Sequence, residues 1–76
     1  MFIIAKKDKD NKISFLYKNR KGIFLFTNET SNVFFNTEEE VNNFIQFRFD
    51  KIKHFVNEGD KLYTLYQPKN KEKKKN

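Results

Sequence analysis

Apolar and polar residues alternate over much of the chain, which is the pattern of β-strands with one buried face. Polar clusters interrupt this pattern at residues 8–11 and 19–22, and their Asp, Asn and Gly residues favour tight turns. The segments beside these turns predict an antiparallel meander of three or four strands, followed by a separate C-terminal strand. The predicted strands are residues 2–6, 12–18, 22–27, 33–35 and 61–66.

One long amphipathic helix is predicted between the last two strands. Thr37 and Glu40 have the spacing of a capping box, and acidic residues 38–40 suit the first turn of a helix. Gly59 stands where a C-terminal cap is expected, so the helix should cover about residues 38–57. The fold class predicted is α+β, with the small sheet packed on the apolar stripe of the helix. That stripe consists of Val41, Phe44, Ile45, Phe49, Ile52, Phe55 and Val56.

The length and charge of the chain predict one domain with a basic tail. Residues 1–68 are expected to form a single α+β domain, and the Lys-rich residues 69–76 are expected to be disordered. The net charge is +6, but the tail contributes +4 of it. The remaining +2 is too small to predict a dedicated DNA-binding surface.

Composition also bears on the compartment and the source. The chain has no cysteine, no apolar run long enough to cross a membrane and no secretory signal, because lysines interrupt the apolar N-terminus after residue 5. A cytoplasmic protein without a membrane partner is therefore expected. The abundance of Lys, Asn, Phe and Ile, whose codons are AT-rich, is consistent with a phage or mobile element of a low-GC bacterium.

Residues suited to catalysis are few. The single histidine, His54, falls on the polar side of the predicted helix, where no second histidine or cysteine could share a metal. Acidic residues 38–40 are explained by the helix dipole. The two glycines do not form a phosphate-binding loop. The chain is therefore predicted not to be an enzyme and to hold no cofactor or metal.

Phenylalanine supplies ten of the 76 residues and lies on both faces of the predicted strands. We expect Phe15 to face the helix. In the third strand, Phe24 and Phe26 point to one side, and Ile23 and Leu25 point to the other. One of these two pairs should lie on a second sheet face that the helix does not cover, and the pattern leaves both assignments open.

This surplus of apolar surface predicts a non-catalytic protein-binding module. The expected partner is a host protein of replication, transcription or defence, such as a DNA- or RNA-handling machine, which the module would inhibit. A homodimer built on the second face is an alternative arrangement. The predicted interface uses aromatic and basic residue types that often dominate binding energy. It consists of Tyr17, Lys18, Arg20, Lys21, Phe24, Phe26, Phe47, Arg48, Tyr63 and Tyr66.

The alternative function is direct, sequence-nonspecific binding of single-stranded nucleic acid. Strand aromatics would stack on bases while neighbouring basic residues and the lysine tail meet phosphates. This hypothesis requires the aromatics to share an open face ringed by Lys and Arg. An open face bare of charge would favour a protein partner instead. The residues concerned are Tyr17, Lys18, Arg20, Lys21, Phe24, Phe26 and Tyr63.

Overall fold

The computed structural model describes residues 1–68, and the predicted disordered tail lies outside them. The described chain forms a four-stranded antiparallel sheet with one α-helix, so the predicted α+β class is confirmed. The strand order across the sheet is β3-β2-β1-β4, which brings the C-terminal strand beside the N-terminal one. The elements are β1 (Phe2–Lys7), β2 (Ile13–Lys18), β3 (Phe24–Thr27), α1 (Glu38–Phe47), two short 3₁₀ turns (Phe49–Lys51 and Lys53–Phe55) and β4 (Lys61–Tyr66).

The two hairpins of the meander are closed by the same type of turn. In the first, the Asp8 carboxylate accepts hydrogen bonds from the Asp10 and Lys12 amides. In the second, the Asn19 side chain accepts from the Lys21 and Ile23 amides in the same way. The fourth residue of each turn is left-handed, with φ of 65° at Asn11 and 82° at Gly22, as expected for a type I turn followed by a bulge.

β1 and β2 separate toward the Phe2 end of the sheet, and residues 31–35 enter the gap. The β1–β2 register ends at the pair Ala5–Phe15. Beyond it, the buried Ser31 hydroxyl donates to the Leu16 carbonyl, and Phe2 exchanges backbone hydrogen bonds of 2.7 and 2.8 Å with Phe35. We call residues 31–35 the wedge.

Asn32 completes this arrangement with its side chain. Its amide oxygen accepts from the Lys18 N–H, and its amide nitrogen donates to the Lys18 carbonyl, both at 2.8 Å. On this side of β2, the Asn32 side chain therefore makes the two backbone hydrogen bonds that a neighbouring strand would otherwise make. The predicted fourth strand at 33–35 is reduced to an isolated bridge between Phe2 and Phe35, because these residues fill a gap between strands instead of adding a new edge.

The helix begins as predicted but ends ten residues earlier than the expected boundary at 57. The Thr37 hydroxyl accepts from the Glu40 amide at 3.1 Å, which confirms the N-cap. At Arg48, however, φ reaches −125°, and the chain continues as the two 3₁₀ turns. The later apolar residues Phe49, Ile52 and Phe55 recur every third residue, which matches a 3₁₀ period better than an α-helical one. A single long helix was therefore the wrong prediction.

Gly59 has a positive φ of 92°, as a cap would, but it does not end a helix. It lies in the turn that leads into β4, where the Asp60 amide donates to the Asn57 carbonyl at 3.0 Å. A positive φ at the third residue alone is the geometry of a type II turn. The prediction located the left-handed residue correctly and assigned it to the wrong element.

The core lies between α1 with its 3₁₀ extension and one face of the sheet. The fully buried residues at its centre are Ile4, Leu16, Val41 and Ile52. Phe24 and Phe26 of β3 pack against this cluster, and the Phe24 ring meets that of Phe44 edge to face at 5.3 Å. The even-numbered strand residues thus face the helix.

Candidate functional site

The odd-numbered strand residues form the opposite face of the sheet, which we call the open face. The helical residues of the buried cluster, Val41 and Ile52, pack on the other side of the sheet with Ile4 and Leu16. Strand alternation assigns residues to the open face through the paired registers. They are Ile3, Ala5, Lys7, Ile13, Phe15, Tyr17, Leu25, Thr27, Lys61, Tyr63 and Leu65. Apart from the two lysines, none of these side chains is charged.

The middle of the open face follows β1 and is lined by larger side chains on both sides. Ala5 is in register with Phe15 on β2 and with Tyr63 on β4. Ala5 is 0% exposed and Ile3 is 2% exposed, although both point away from the helix. Both side chains are therefore covered by the larger residues beside β1, of which Phe15 and Tyr63 are half-buried. We call the apolar strip of surface that follows β1 between Phe15 and Tyr63 the groove.

Two lysines lie side by side at one end of this groove. Lys7 and Lys61 are directly opposite each other in the β1–β4 register, and both are exposed. Like charges at paired positions repel each other and destabilise a sheet. A depression of about 350 Å³ lies here, lined by Lys7, Ile13, Lys61, Leu62 and Tyr63. This end of the groove is therefore suited to a negatively charged group attached to an apolar one.

Large exposed apolar side chains extend the open face at its margin. Ile13, at the start of β2, and Ile23, just before β3, are both exposed. Phe34 is 48% exposed, and alternation from the Phe2–Phe35 bridge puts it on the same side as Ile3. The wedge thus adds an aromatic residue to the surface. An apolar surface of this kind is typical of an interaction site.

Of the predicted interface residues, Tyr17 and Tyr63 lie on the open face. Phe24 and Phe26 lie on the helix side with the core. These four aromatics therefore do not share one face, as the nucleic-acid alternative requires. Of the two pairs left open by the sequence, Ile23 and Leu25 lie on the side without the helix. Phe15 also lies on the open face, contrary to expectation, because Leu16 takes the core position in β2.

The predicted basic residues do not surround the open face. Lys18 lies on the helix side, with its ammonium 5.6 Å from the centroid of the Phe24 ring. Arg20 and Lys21 are exposed in the second hairpin turn. The open face is thus bare of charge except at its Lys7–Lys61 end.

Three further predicted residues lie away from the open face. Phe47 is 68% exposed at the end of α1, followed by the exposed Arg48. Both line a depression beside the helix with Phe35 and Phe44. Tyr66 is exposed on the helix side of β4 and packs edge to face on Phe2, with ring centroids 5.3 Å apart. These residues do not join Tyr17 and Tyr63 in one surface.

The residues that sequence reasoning missed are the ones that line the groove with Tyr17 and Tyr63. A period-two pattern groups Phe15 with Tyr17 but does not show which side the helix covers. In the structure, Lys6 lies on the core side, where its ammonium contacts the Phe55 carbonyl and the Asp60 carboxylate, and the sequence pattern does not indicate these contacts. The missed residues are Ile3, Ala5, Lys7, Phe15, Leu25, Lys61 and Leu65.

Other types of site find little support among residues 1–68. This region contains no group of three or more His, Cys, Asp or Glu side chains placed to hold a metal ion. Within the same residues, no helix has both the length and the apolar character needed to cross a bilayer. Hydrogen bonding from the Lys12 amide lowers the pKa of Asp8, but this carboxylate is already occupied in closing its turn.

The chain matches no protein-family model, no curated protein and no solved structure.

Proposed function

We propose that this protein is a non-catalytic binding module that holds a protein partner in the groove of the open face. The observation that supports this proposal is an apolar, aromatic sheet surface whose middle contains no charged side chain. A nucleic-acid surface would need cations around its aromatics to meet phosphates, and the cations here are grouped at one end. Half-buried aromatic side chains on an uncharged surface suit contact with apolar side chains of a partner.

The Lys7–Lys61 pair specifies the partner further. Within residues 1–68, neither lysine forms an ion pair, and two such paired cations favour a partner that brings an acidic group to that end of the groove. The partner segment is therefore apolar along most of its length and acidic at one end. The narrower expectation, inhibition of a host protein that handles DNA or RNA, stays a prediction.

A displayed library of random peptides tests the proposal, because it requires no assumption about which protein the partner is. We expect selection on the intact protein to enrich apolar peptides with an acidic residue near one end. Tyr63→Ser should weaken the selected peptides at least about tenfold, because aromatic residues at the centre of an interface often contribute about 2 kcal/mol or more. Fluorescence polarisation of labelled peptides measures the change.

Phe47→Ser is the matched control, since Phe47 is also an aromatic residue and is 68% exposed at the end of α1, away from the groove. It should leave peptide affinity unchanged. Circular dichroism establishes that both variants are folded. Equal losses in Tyr63→Ser and Phe47→Ser would contradict the proposal.

A charge-reversal variant tests the acidic end separately. Lys7→Glu combined with Lys61→Glu should shift selection toward peptides with a basic end while retaining the apolar preference. The nucleic-acid alternative is tested with labelled single-stranded DNA over a salt series. Tight binding that falls steeply with salt and is lost in Tyr17→Ala, on the open face, would favour that alternative over ours.

A further inference from the structure

β4 presents an unpaired backbone edge at the side of the sheet opposite β3. The Gln67 amide donates to the Met1 carbonyl at 2.6 Å, so odd-numbered residues of β4 direct their backbone groups toward β1. The N–H and C=O groups of Leu62, Thr64 and Tyr66 therefore point outward. No hydrogen-bond partner for them is found within residues 1–68.

Devices that normally protect a sheet edge are absent from the interior of β4. Such edges are usually blocked by proline, inward charges, bulges or very short length. β4 runs for six residues in continuous register with β1, and its interior residues 62–65 carry neither charge nor proline. The other edge strand, β3, has only four residues. β4 is thus the better edge for adding a strand.

The sequence of β4 is complementary to itself when two copies run antiparallel about Thr64. This register places Thr64 opposite its own counterpart and Leu62 opposite Tyr66 of the second copy. On the open face, Tyr63 meets Leu65 in the same way, and Lys61 meets Gln67. Thr–Thr pairs are favourable across strands, the two Leu–Tyr pairs bring apolar side chains together, and no like charges oppose each other. A shift by two residues would lose this match.

We propose that the β4 edges of two copies pair antiparallel about Thr64 to form a symmetric dimer with one eight-stranded sheet. The outward backbone groups at Leu62, Thr64 and Tyr66 then gain partners. A two-fold contact of this kind is closed, because each β4 edge is used once. It also joins the two open faces side by side. The proposal concerns the strand edge and does not depend on what binds in the groove.

Disulfide trapping tests the register directly, because the chain contains no cysteine. Thr64→Cys places one thiol opposite its own counterpart, at the Cα separation of about 5.5 Å found in a paired antiparallel ladder. We expect mild oxidation to convert this variant to a covalent dimer on a non-reducing gel. A Thr64→Cys chain that stays monomeric while folded would overturn the proposal.

Tyr66→Cys is the matched control on the same strand and the same side. In the proposed register, Tyr66 lies opposite Leu62, so the two introduced thiols are four residues apart, or about 13 Å. This variant should crosslink at least about tenfold more slowly than Thr64→Cys, since its thiols are beyond disulfide reach. Equal rates in the two variants would indicate random collision and would also overturn the register.

Thr64→Pro supplies a test that needs no thiol. Its missing N–H points outward and takes no part in β1 pairing, and an edge strand tolerates proline at such a position. Light scattering over a concentration series should show the unmodified chain passing from monomer to dimer and the folded variant remaining monomeric. An unmodified chain that is monomeric at every concentration, or one that forms open-ended oligomers, would contradict a closed β4 dimer.

Discussion

The Lys6 ammonium lies 3.5 Å from the Asp60 carboxylate, and the two side chains are only 13% and 3% exposed. Lys6 also donates to the Phe55 carbonyl and lies 4.8 Å from the centroid of the Phe26 ring. Asp60 accepts in turn from the Asn57 amide at 2.7 Å. One lysine of β1 therefore connects the 3₁₀ extension, the turn before β4 and the third strand.

Loss of either partner of this ion pair should destabilise the fold. Lys6→Met leaves the Asp60 carboxylate buried without its cation, which we expect to cost about 3 kcal/mol in the free energy of unfolding. The double variant Lys6→Met with Asp60→Asn should lose less than Lys6→Met alone, because it contains no uncompensated charge. Urea denaturation of Lys6→Met, Asp60→Asn and the double variant measures the coupling between the two residues. Additive losses would show that the two residues act independently.

The wedge should be sensitive to single polar deletions. Asn32→Ala removes both hydrogen bonds to the Lys18 backbone, so the Lys18 N–H and C=O lose these partners. We expect a loss of about 1–3 kcal/mol, measured by thermal or urea denaturation. Ser31→Ala should have an effect of similar size, since Ser31 is 5% exposed and its hydroxyl meets the Leu16 carbonyl. Asn28→Ala, at an exposed position just before the wedge, should change stability by less than about 0.5 kcal/mol.

Substitutions at the two left-handed turn residues, Gly22 and Asn11, should affect stability differently. Gly22→Ala should cost about 1–2 kcal/mol, because a side chain is strained at a φ of 82°. The new methyl group would meet Lys18 only at an ordinary 3.8 Å, so the cost comes from the backbone. Asn11→Gly should be neutral or stabilising by about 0.5 kcal/mol, since glycine adopts this conformation freely. A Gly22→Ala chain as stable as the unmodified one would contradict this assignment.

Asp8 should give the first hairpin a pH dependence that the second hairpin lacks. The Lys12 amide, which donates to the carboxylate, lowers the pKa of Asp8 below its ordinary value. The folded state therefore holds the Asp8 proton less tightly than the unfolded state. The stabilisation that ionised Asp8 gives the fold is therefore complete above the pKa of the unfolded state, and it is lost as the pH falls through the pKa of the folded state.

Asp8→Asn provides the control, because it reproduces the uncharged acceptor that Asn19 supplies in the second hairpin. Stability measured from neutral to strongly acidic pH should fall more steeply in the unmodified chain than in Asp8→Asn. Parallel curves for the two proteins would mean that Asp8 is not the group responsible.

The parts of the fold that depend on local sequence were predictable. Turn residues such as Gly22 and the Thr37 cap act through their own backbone neighbours, so their positions follow from residue type. The end of α1 was not predictable from the apolar stripe, because an α-helical and a 3₁₀ repeat differ little over so few residues. The three-residue spacing of Phe49, Ile52 and Phe55 was the available signal.

The orientation of the sheet depends on contacts that are distant in sequence. Alternation shows that Phe24 and Leu25 face opposite sides, but either side could carry the helix. The choice follows from the internal partners of Lys6 and from the buried Leu16, which the sequence does not reveal. The candidate groove was therefore predicted as a second apolar face, while most of the residues that line it were not.

The wedge gives the folding reaction an order. Each hairpin of the meander can close through contacts between near neighbours, whereas the Phe2–Phe35 bridge must wait until a long segment of chain has looped back. Residues 31–35 can pack between β1 and β2 only after these two strands have formed. We therefore expect the amides of Phe2 and Lys18, which donate into the wedge, to gain protection from hydrogen exchange later than those inside the hairpins.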